Sequence, residues 1–455
     1  MSKLKSLLLY KGHYLVLVVV LFVGIALCIL IPPLQSPDEF DHLKRAYLWG
    51  HGKVLLDGPV GNSSGGMVDT GLKEYMSIYA TLPFHRDVKL TPAMRYGAEG
   101  VMWSHQKVFD SAAGAVAYFP IIYTPQALAL RVGEWLGLSI DMSYRGARYL
   151  NLIVIMLILI WAFSYSPPSY LAISCMLLPM QLFQLAATSI DGLAMALCIF
   201  AVSVFMRIAK DSGSRPSRDY YLLLLASTLL ITSRPYLLPL LGLSLVVFSI
   251  RPSRVLALAI GCQAVFVIGW FMLVLLYTAD IRVSTELGTV EKLNYYFSHP
   301  GVLMGVMWAT MSDASLLQFY GFSFIGILGW LDTSLHEAAY IVLGLFLMLI
   351  AVLNTGTLRK DSQARWALLI TALCSVALVF MLLLLTWTAL PAVRVEGVQG
   401  RYLVIPFILM AYALNGVGPE FHARRIWLNI ALLMTIGGYS EMVTIEALLD
   451  RYYGL

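Results

Sequence analysis

Charge is what this chain most lacks: Asp, Glu, Lys and Arg make up 13% of its 455 residues, while 59% are hydrophobic and the mean hydropathy is +0.77. A soluble domain carries about 25% charged residues and roughly 45–50% apolar ones. A water-soluble fold is therefore excluded, and with 31 Lys and Arg against 26 Asp and Glu so is nucleic-acid binding. Cysteine is scarce too. All five (Cys28, Cys175, Cys198, Cys262, Cys374) lie in apolar runs, so the one long polar segment has no disulfide framework, and they read as buried small hydrophobes. HExxH, zinc-spaced Cys/His clusters, GxxxxGK[ST] and GxSxG are all missing, so no metal or nucleotide site is expected and no cofactor is implied. Energy for a reaction must come from an activated substrate or a gradient. The two halves do not repeat one another, which argues against carriers built from repeated halves.

What is present is a series of apolar runs, several of them long enough for a bilayer core of about 30 Å. They predict an all-α, polytopic transmembrane bundle of about 11–13 spans. The runs are 14–31, 118–138, 148–165, 169–187, 190–207, 220–233, 235–250, 254–277, 335–354, 366–387, 402–418 and 426–440; 299–330 reads as one span, two short ones or a re-entrant segment. Lys3, Lys5 and Lys11 precede the first run, but no small-residue cleavage site follows, so residues 1–32 read as a cytoplasmic N-terminus and a retained helix. Residues 33–113, with nine acidic and eight basic side chains, form a long extracytoplasmic loop, and 114–455 the multi-helix membrane domain. Basic clusters at Arg207, Lys210, Arg215 and Arg218, at Arg251 and Arg254, at Arg359, Lys360 and Arg365, and at Arg424 and Arg425 mark cytoplasmic loops. This sidedness needs an odd number of crossings between 113 and Arg207, whereas four runs lie there, so one of the four must fail to cross or merge with a neighbour.

The sharpest polar constellation follows the first run: Pro32-Pro33-Leu34-Gln35-Ser36-Pro37-Asp38-Glu39-Phe40-Asp41-His42-Leu43-Lys44-Arg45. Three prolines stiffen the chain. Asp38 would cap a helix on which Glu39, His42 and Arg45 share a face. A carboxylate pair with His and Arg alongside suits a general base and the anion it leaves behind, and equally an ordinary capped surface helix. Asp191, flanked by apolar residues, needs a partner, a water-filled cavity or an interfacial position, or else Thr188 to Asp191 simply caps the next helix at the membrane surface. Arg234 is either a snorkelling arginine at a tight hairpin or a phosphate ligand. In Arg394-Val395-Glu396-Gly397-Val398-Gln399-Gly400-Arg401-Tyr402, the glycines admit close approach and Gln399 and Arg401 offer planar donors for a phosphate or sugar. Asp332 reads as a helix cap.

The pattern P-x-Q-x-P-D-E-x-x-H-x-x-R-A over Pro33–Ala46 resembles a group of bacterial polytopic membrane proteins of uncharacterised function. The resemblance extends through Tyr118–Gln126, Leu178–Gln184 to Asp191, Gly329–Thr333 and Gly397–Tyr402. That group is similar in turn to the GT-C class of membrane glycosyltransferases, which place a long outer loop with an acidic motif directly after the first helix and take sugars from polyprenyl carriers. The resemblance implies Asp38 as general base with Glu39 beside it, and Asp191 as a second acidic position. By their chemistry and placement, His42, Arg45, Asp191, Arg234, Gln399 and Arg401 are expected to bind substrate. Asp-Glu in place of Asp-x-Asp points to a metal-independent enzyme with a lipid-monophosphate donor such as undecaprenyl phosphate-sugar, and the expected enzyme is an inverting one. Its acceptor would be a surface glycan, such as O-antigen or lipopolysaccharide, or a lipid-linked acceptor, at the outer side of the inner membrane. The alternatives are a carrier for lipid-linked sugars and a surface-polysaccharide polymerase or ligase.

Overall fold

A computed structural model describes residues 2–210, 217–283, 287–355, 362–415 and 423–455. The chain is a multi-pass, all-α membrane protein. Among the described residues, seven helices are long and apolar enough to cross a bilayer: α1 (Ser2–Leu30, apolar from Gly12), α6 (Ile140–Tyr165), α9 (Asp191–Lys210), α12 (Arg254–Tyr277), α16 (Glu337–Asn354), α17 (Ser362–Thr386) and α19 (Ala423–Tyr453). Helices serve here because each closes its own backbone hydrogen bonds where lipid offers none. Of these, α9 is the most enclosed, and its first residue, Asp191, stands at its end on the side of the polar segment 33–113.

The polar segment 33–113 folds as a cap on one face. It holds α2 (Glu39–Gly50), an antiparallel ribbon of β1 (Gly65–Asp69) and β2 (Lys107–Ser111), α3 (Thr70–Tyr79) and α4 (Pro92–Glu99). Asp69 links ribbon to helix, its carboxylate accepting from the Gly71 and Leu72 amides of α3.

The parity problem is solved by α5 (Thr124–Trp135), whose 12 residues span only about 18 Å. It lies beside α2 and α6 on the cap face, Trp49 donating to the Thr124 hydroxyl at 3.2 Å. Next, α6 descends from the cap, where Asp141 accepts from Tyr75 of α3, to the opposite face, where Tyr165 meets Arg207 and Arg218. The run 169–187 returns as a broken pair, α7 (Tyr170–Met176) and α8 (Pro179–Leu185), interrupted where Pro179 cannot continue the helix. With α9 that makes three crossings.

Helices α10 (Ser217–Ser233), α11 (Leu241–Ile250, after a tight turn at Pro235–Leu240) and α18 (Val404–Leu414, after one at Gly400–Leu403) run between the same two faces. Segment 299–330 does not cross. With α13 (Thr289–Ser298), its helices α14 (Pro300–Ser312) and α15 (Ala314–Gly326) are fastened repeatedly to the cap face. Lys292 donates to the Thr388 carbonyl at 2.6 Å, Arg394 pairs with Asp313 at 2.8 Å, and the Gly400 amide donates to Ser323 at 2.8 Å. The basic clusters lie at helix ends on the face opposite the cap; Arg215, Arg359, Lys360 and residues 416–418 of the run 402–418 lie outside the described residues.

Two expectations are corrected. Asp332 does not cap α16: it sits in the turn between β3 (Ile327–Leu328) and β4 (Thr333–Ser334), paired with Arg451 at 2.9 Å, and His336 is the cap. Cys262 and Cys374 are exposed on the apolar outer surface, and only Cys28, Cys175 and Cys198 are buried.

Candidate active site

The site begins where α1 ends. Arg148 of α6 gathers the orphan carbonyls of that terminus, donating to Cys28, Ile31 and Pro32 at 3.3, 2.7 and 3.0 Å, and so fixes the exit of the chain. Asp38 then adopts a left-handed backbone, φ 58°, ψ 12°. A non-glycine residue pays about 1–3 kcal/mol for such a conformation, which persists only where surrounding contacts impose it. Its carbonyl starts α2, accepting from the amides of Asp41 and His42, but its carboxylate makes no cap hydrogen bond. The carboxylate turns into the bundle instead.

There it meets charges from three distant segments. Arg401 Nη2 donates to Asp38 Oδ2 at 2.5 Å, and Arg401 Nη1 to Asp191 Oδ2 at 3.5 Å. Asp191 Oδ1 also accepts from Arg234, whose Nη1 donates to the Tyr118 hydroxyl at 3.1 Å. Two guanidiniums and two carboxylates thus close on one another, which is how charge is tolerated at this depth. Gln399 orients Arg401, its Oε1 accepting from Nε at 2.7 Å. Gly400 packs so closely on α15 that a Cβ would lie 2.0 Å from the Phe324 nitrogen, so only glycine lets the turn bring Arg401 in. Asp38 is the most open of the four, its side chain 29% exposed against 4% for Arg401 and Arg234.

Asp38, Arg234, Gln399 and Arg401 line a cavity of about 670 Å³. Tyr118, Tyr236 and Tyr402 complete its polar end, and Val274 and Leu275 of α12 face Val379, Leu382 and Leu383 of α17 along its apolar walls. Asp191 stands behind the two arginines. Burial alone would raise the Asp38 carboxyl, but the guanidiniums of Arg401 and Arg282 outweigh it and hold the group below the usual carboxylate range. Among the described residues no three His, Cys, Asp or Glu side chains are grouped as a metal site requires.

Glu39, His42 and Arg45 share one face of α2, as their spacing predicts, but that face is turned into the protein and none of the three lines the cavity. Glu39 Oε1 accepts from Tyr144 at 2.8 Å and from the amide and hydroxyl of Thr188 at 2.7 and 2.9 Å, and Oε2 from the Ser36 amide at 2.9 Å. The geometry makes it the tie between the Asp38 turn and the α8–α9 turn. Glu39 Oε1 also lies 3.9 Å from Arg148 Nη2. Since Gln would point an amide donor at the Ser36 amide and leave Arg148 without its carboxylate, Glu39→Gln is expected to cost about 3–5 kcal/mol of stability, seen as a fall in melting temperature of the purified protein. His42 Nδ1 lies 2.6 Å from the Tyr123 hydroxyl, its ring stacked near Tyr118. Burial, with the nearby arginines, pushes its pKa down to about 3, so it is neutral at physiological pH. Arg45 donates to the carbonyls of Lys53, Val54 and Tyr118, bracing the loop that carries Tyr118.

Sequence reasoning passed over Arg282, Asp280 and Trp387, which sit at the mouth, and gave no role to Tyr118, although it stands inside the quoted patch Tyr118–Gln126. Arg282 carried no signal, since an exposed arginine in a polar loop is ordinary. A family model described as "Predicted membrane protein (DUF2142)" matches residues 21–411, which contain every residue of the charge cluster. No curated protein and no solved structure matches the chain.

Proposed function

We infer that this chain, which belongs to the family of predicted membrane proteins DUF2142, is a membrane glycosyltransferase of the GT-C kind. It moves a sugar from a polyprenyl-phosphate carrier to a glycan or lipid-linked acceptor at the outer side of the bacterial inner membrane. One observation carries the reading: a carboxylate open to a cavity and two buried guanidiniums beside it share a chamber whose other walls are apolar faces of α12 and α17. A prenyl chain suits the apolar walls and its phosphate the arginines. The basic clusters on the opposite face support an outward-facing site.

Asp38 takes the proton of the acceptor hydroxyl as that oxygen bonds to the anomeric carbon. The bond from the anomeric carbon to the phosphate oxygen breaks, and polyprenyl phosphate leaves with the electron pair, its new charge held by Arg401, Arg234 and the Tyr118 hydroxyl. Attack opposite the leaving group inverts the anomeric centre.

A base must be deprotonated to act, and a depressed pKa moves the acid limb of the pH–rate profile downward. The kcat/KM profile is therefore expected to stay flat through pH 5–7 and to fall only below the ordinary carboxylate range; a limb near pH 6.5 would rule out Asp38, and His42 with it, as the base. The function itself is tested with purified protein in vesicles and synthetic polyprenyl-phosphate sugars carrying labelled sugar. The expected result is labelled acceptor together with free polyprenyl phosphate. Donor that redistributes between leaflets with its sugar–phosphate bond intact would make the protein a carrier, and a requirement for a diphosphate-linked oligosaccharide donor would make it a polymerase or ligase.

A further inference from the structure

Asp38 divides the cavity. Its Oδ2 faces Arg401, whose side chain is almost wholly buried, and its Oδ1 faces Arg282 at 3.9 Å, whose side chain is 36% exposed at the mouth. The inner half, with two buried arginines, is accounted for by a phosphate. The outer half has a different character.

Its charges cancel locally. Asp280 takes Arg282 in a fork, Nη2 to Oδ2 at 2.7 Å and Nε to Oδ1 and Oδ2 at 3.0 and 3.2 Å. Asp41 is met by Lys44 at 2.9 Å and by the Gly114 amide at 2.7 Å. What is left facing the opening is planar hydrogen-bonding capacity without net charge.

Its walls are aromatic and rigid. Trp387 is held between the Arg282 guanidinium, 5.2 Å from its ring centre, and Gly397, where φ is +77° and a Cβ would come 2.3 Å from the indole. Another part of the wall carries Trp330, its Nε1 donating to the Leu34 carbonyl at 3.0 Å, and Phe84 set edge-on to it at 5.9 Å. Phe84 is 67% exposed and left-handed, φ 65°, with its amide tied to Asp332 at 2.9 Å. A large aromatic held out on a backbone that Phe rarely adopts persists only where surrounding contacts impose it. Aromatic faces flanked by a carboxylate and a guanidinium fit the C–H face and hydroxyl rim of a sugar ring.

We propose that this outer half is a subsite for an uncharged saccharide, gripped by Trp387, Phe84 and Trp330 and hydrogen-bonded by Asp280 and Arg282. That the saccharide is the acceptor rests on the transferase reading; that it binds here does not. Bound there, it presents a hydroxyl to Oδ1 of Asp38, the side away from Arg401.

Saturation-transfer NMR on the full chain in lipid nanodiscs tests this, since glycoside detergents would compete. The probes are neutral trisaccharides of glucose, mannose, galactose, rhamnose and N-acetylglucosamine, with trigalacturonate as the anionic comparison. At least one neutral probe is expected to show ring-proton saturation in the wild type, reduced fivefold or more in Trp387→Ala and in Phe84→Ala and largely kept in Trp387→Phe. Phe84 is exposed, so its variant keeps the test valid if Trp387→Ala fails to fold. The proposal is overturned if no neutral probe binds, if only trigalacturonate binds, or if neither alanine variant weakens binding. Farnesyl phosphate titrated into the same discs reads the inner half separately. Its failure beside intact saccharide binding would remove the transferase reading and leave the subsite standing, and the converse would remove the subsite alone.

Discussion

Asp38→Asn is expected to lower single-turnover sugar transfer by about 10²–10⁴-fold, the usual contribution of a positioned general base. Asparagine keeps the volume and can still accept from Arg401, so the left-handed turn and α2 retain their supports, and the melting temperature should fall far less than in Glu39→Gln. Donor binding should survive or tighten. With the carboxylate gone, Arg401 loses the partner that competes with an incoming phosphate. A slow enzyme with undiminished donor affinity separates loss of a base from loss of a binding site. Transfer at the wild-type rate in Asp38→Asn would sink the assignment. Substituting Glu39 as well would confuse the two effects, because Glu39 is buried among four donors and its loss damages the fold.

Arg401→Ala is expected to have the second large effect, through binding as well as rate. Truncating one partner of a buried charge pair costs about 2–5 kcal/mol, or roughly thirtyfold to several thousandfold in kcat/KM. Arg401→Lys keeps the charge but should also lose much of the activity. A single ammonium cannot reproduce the fork that reaches Asp38 with one nitrogen and Asp191 with the other while Nε is held by Gln399. Arg424, exposed at the opposite face, is the control, and Arg424→Ala should transfer at the wild-type rate. If Arg401→Ala transfers normally with unaltered donor affinity, the phosphate is held by Arg234 alone.

Composition and span length made the all-α membrane bundle legible, and the letters around Asp38, Asp191, Arg234 and Arg401 marked those residues as out of place. Their assembly was not legible, because nothing in a one-dimensional pattern says that positions 38, 191, 234 and 401 meet. Nor was the division of labour between Asp38 and Glu39. Adjacent residues at a helix start point in different directions, and here a left-handed residue sends one carboxylate to the cavity and the other into the packing. Hydropathy overcounted 118–138 because it registers apolarity without registering where a helix starts; the tight turn at Pro120–Tyr123 uses up the first third of that run. It left 299–330 open because helices lying along a face are as apolar as those that cross.

The closed set of two arginines and two aspartates also bears on how the protein is made. A chain emerging from the ribosome delivers its N-terminal elements first, so Asp38, Asp191 and Arg234 are all in place before Arg401 exists. Until the turn at Gly400–Leu403 arrives, the cluster holds two carboxylates and one buried guanidinium, and Asp38 has only the partly exposed Arg282 near it. The last-made third of the chain is therefore what neutralises the first. A product cut short between residues 234 and 401 carries an interior imbalance, and a quality-control protease acting on it would do so with many of the hydrophobic spans already built.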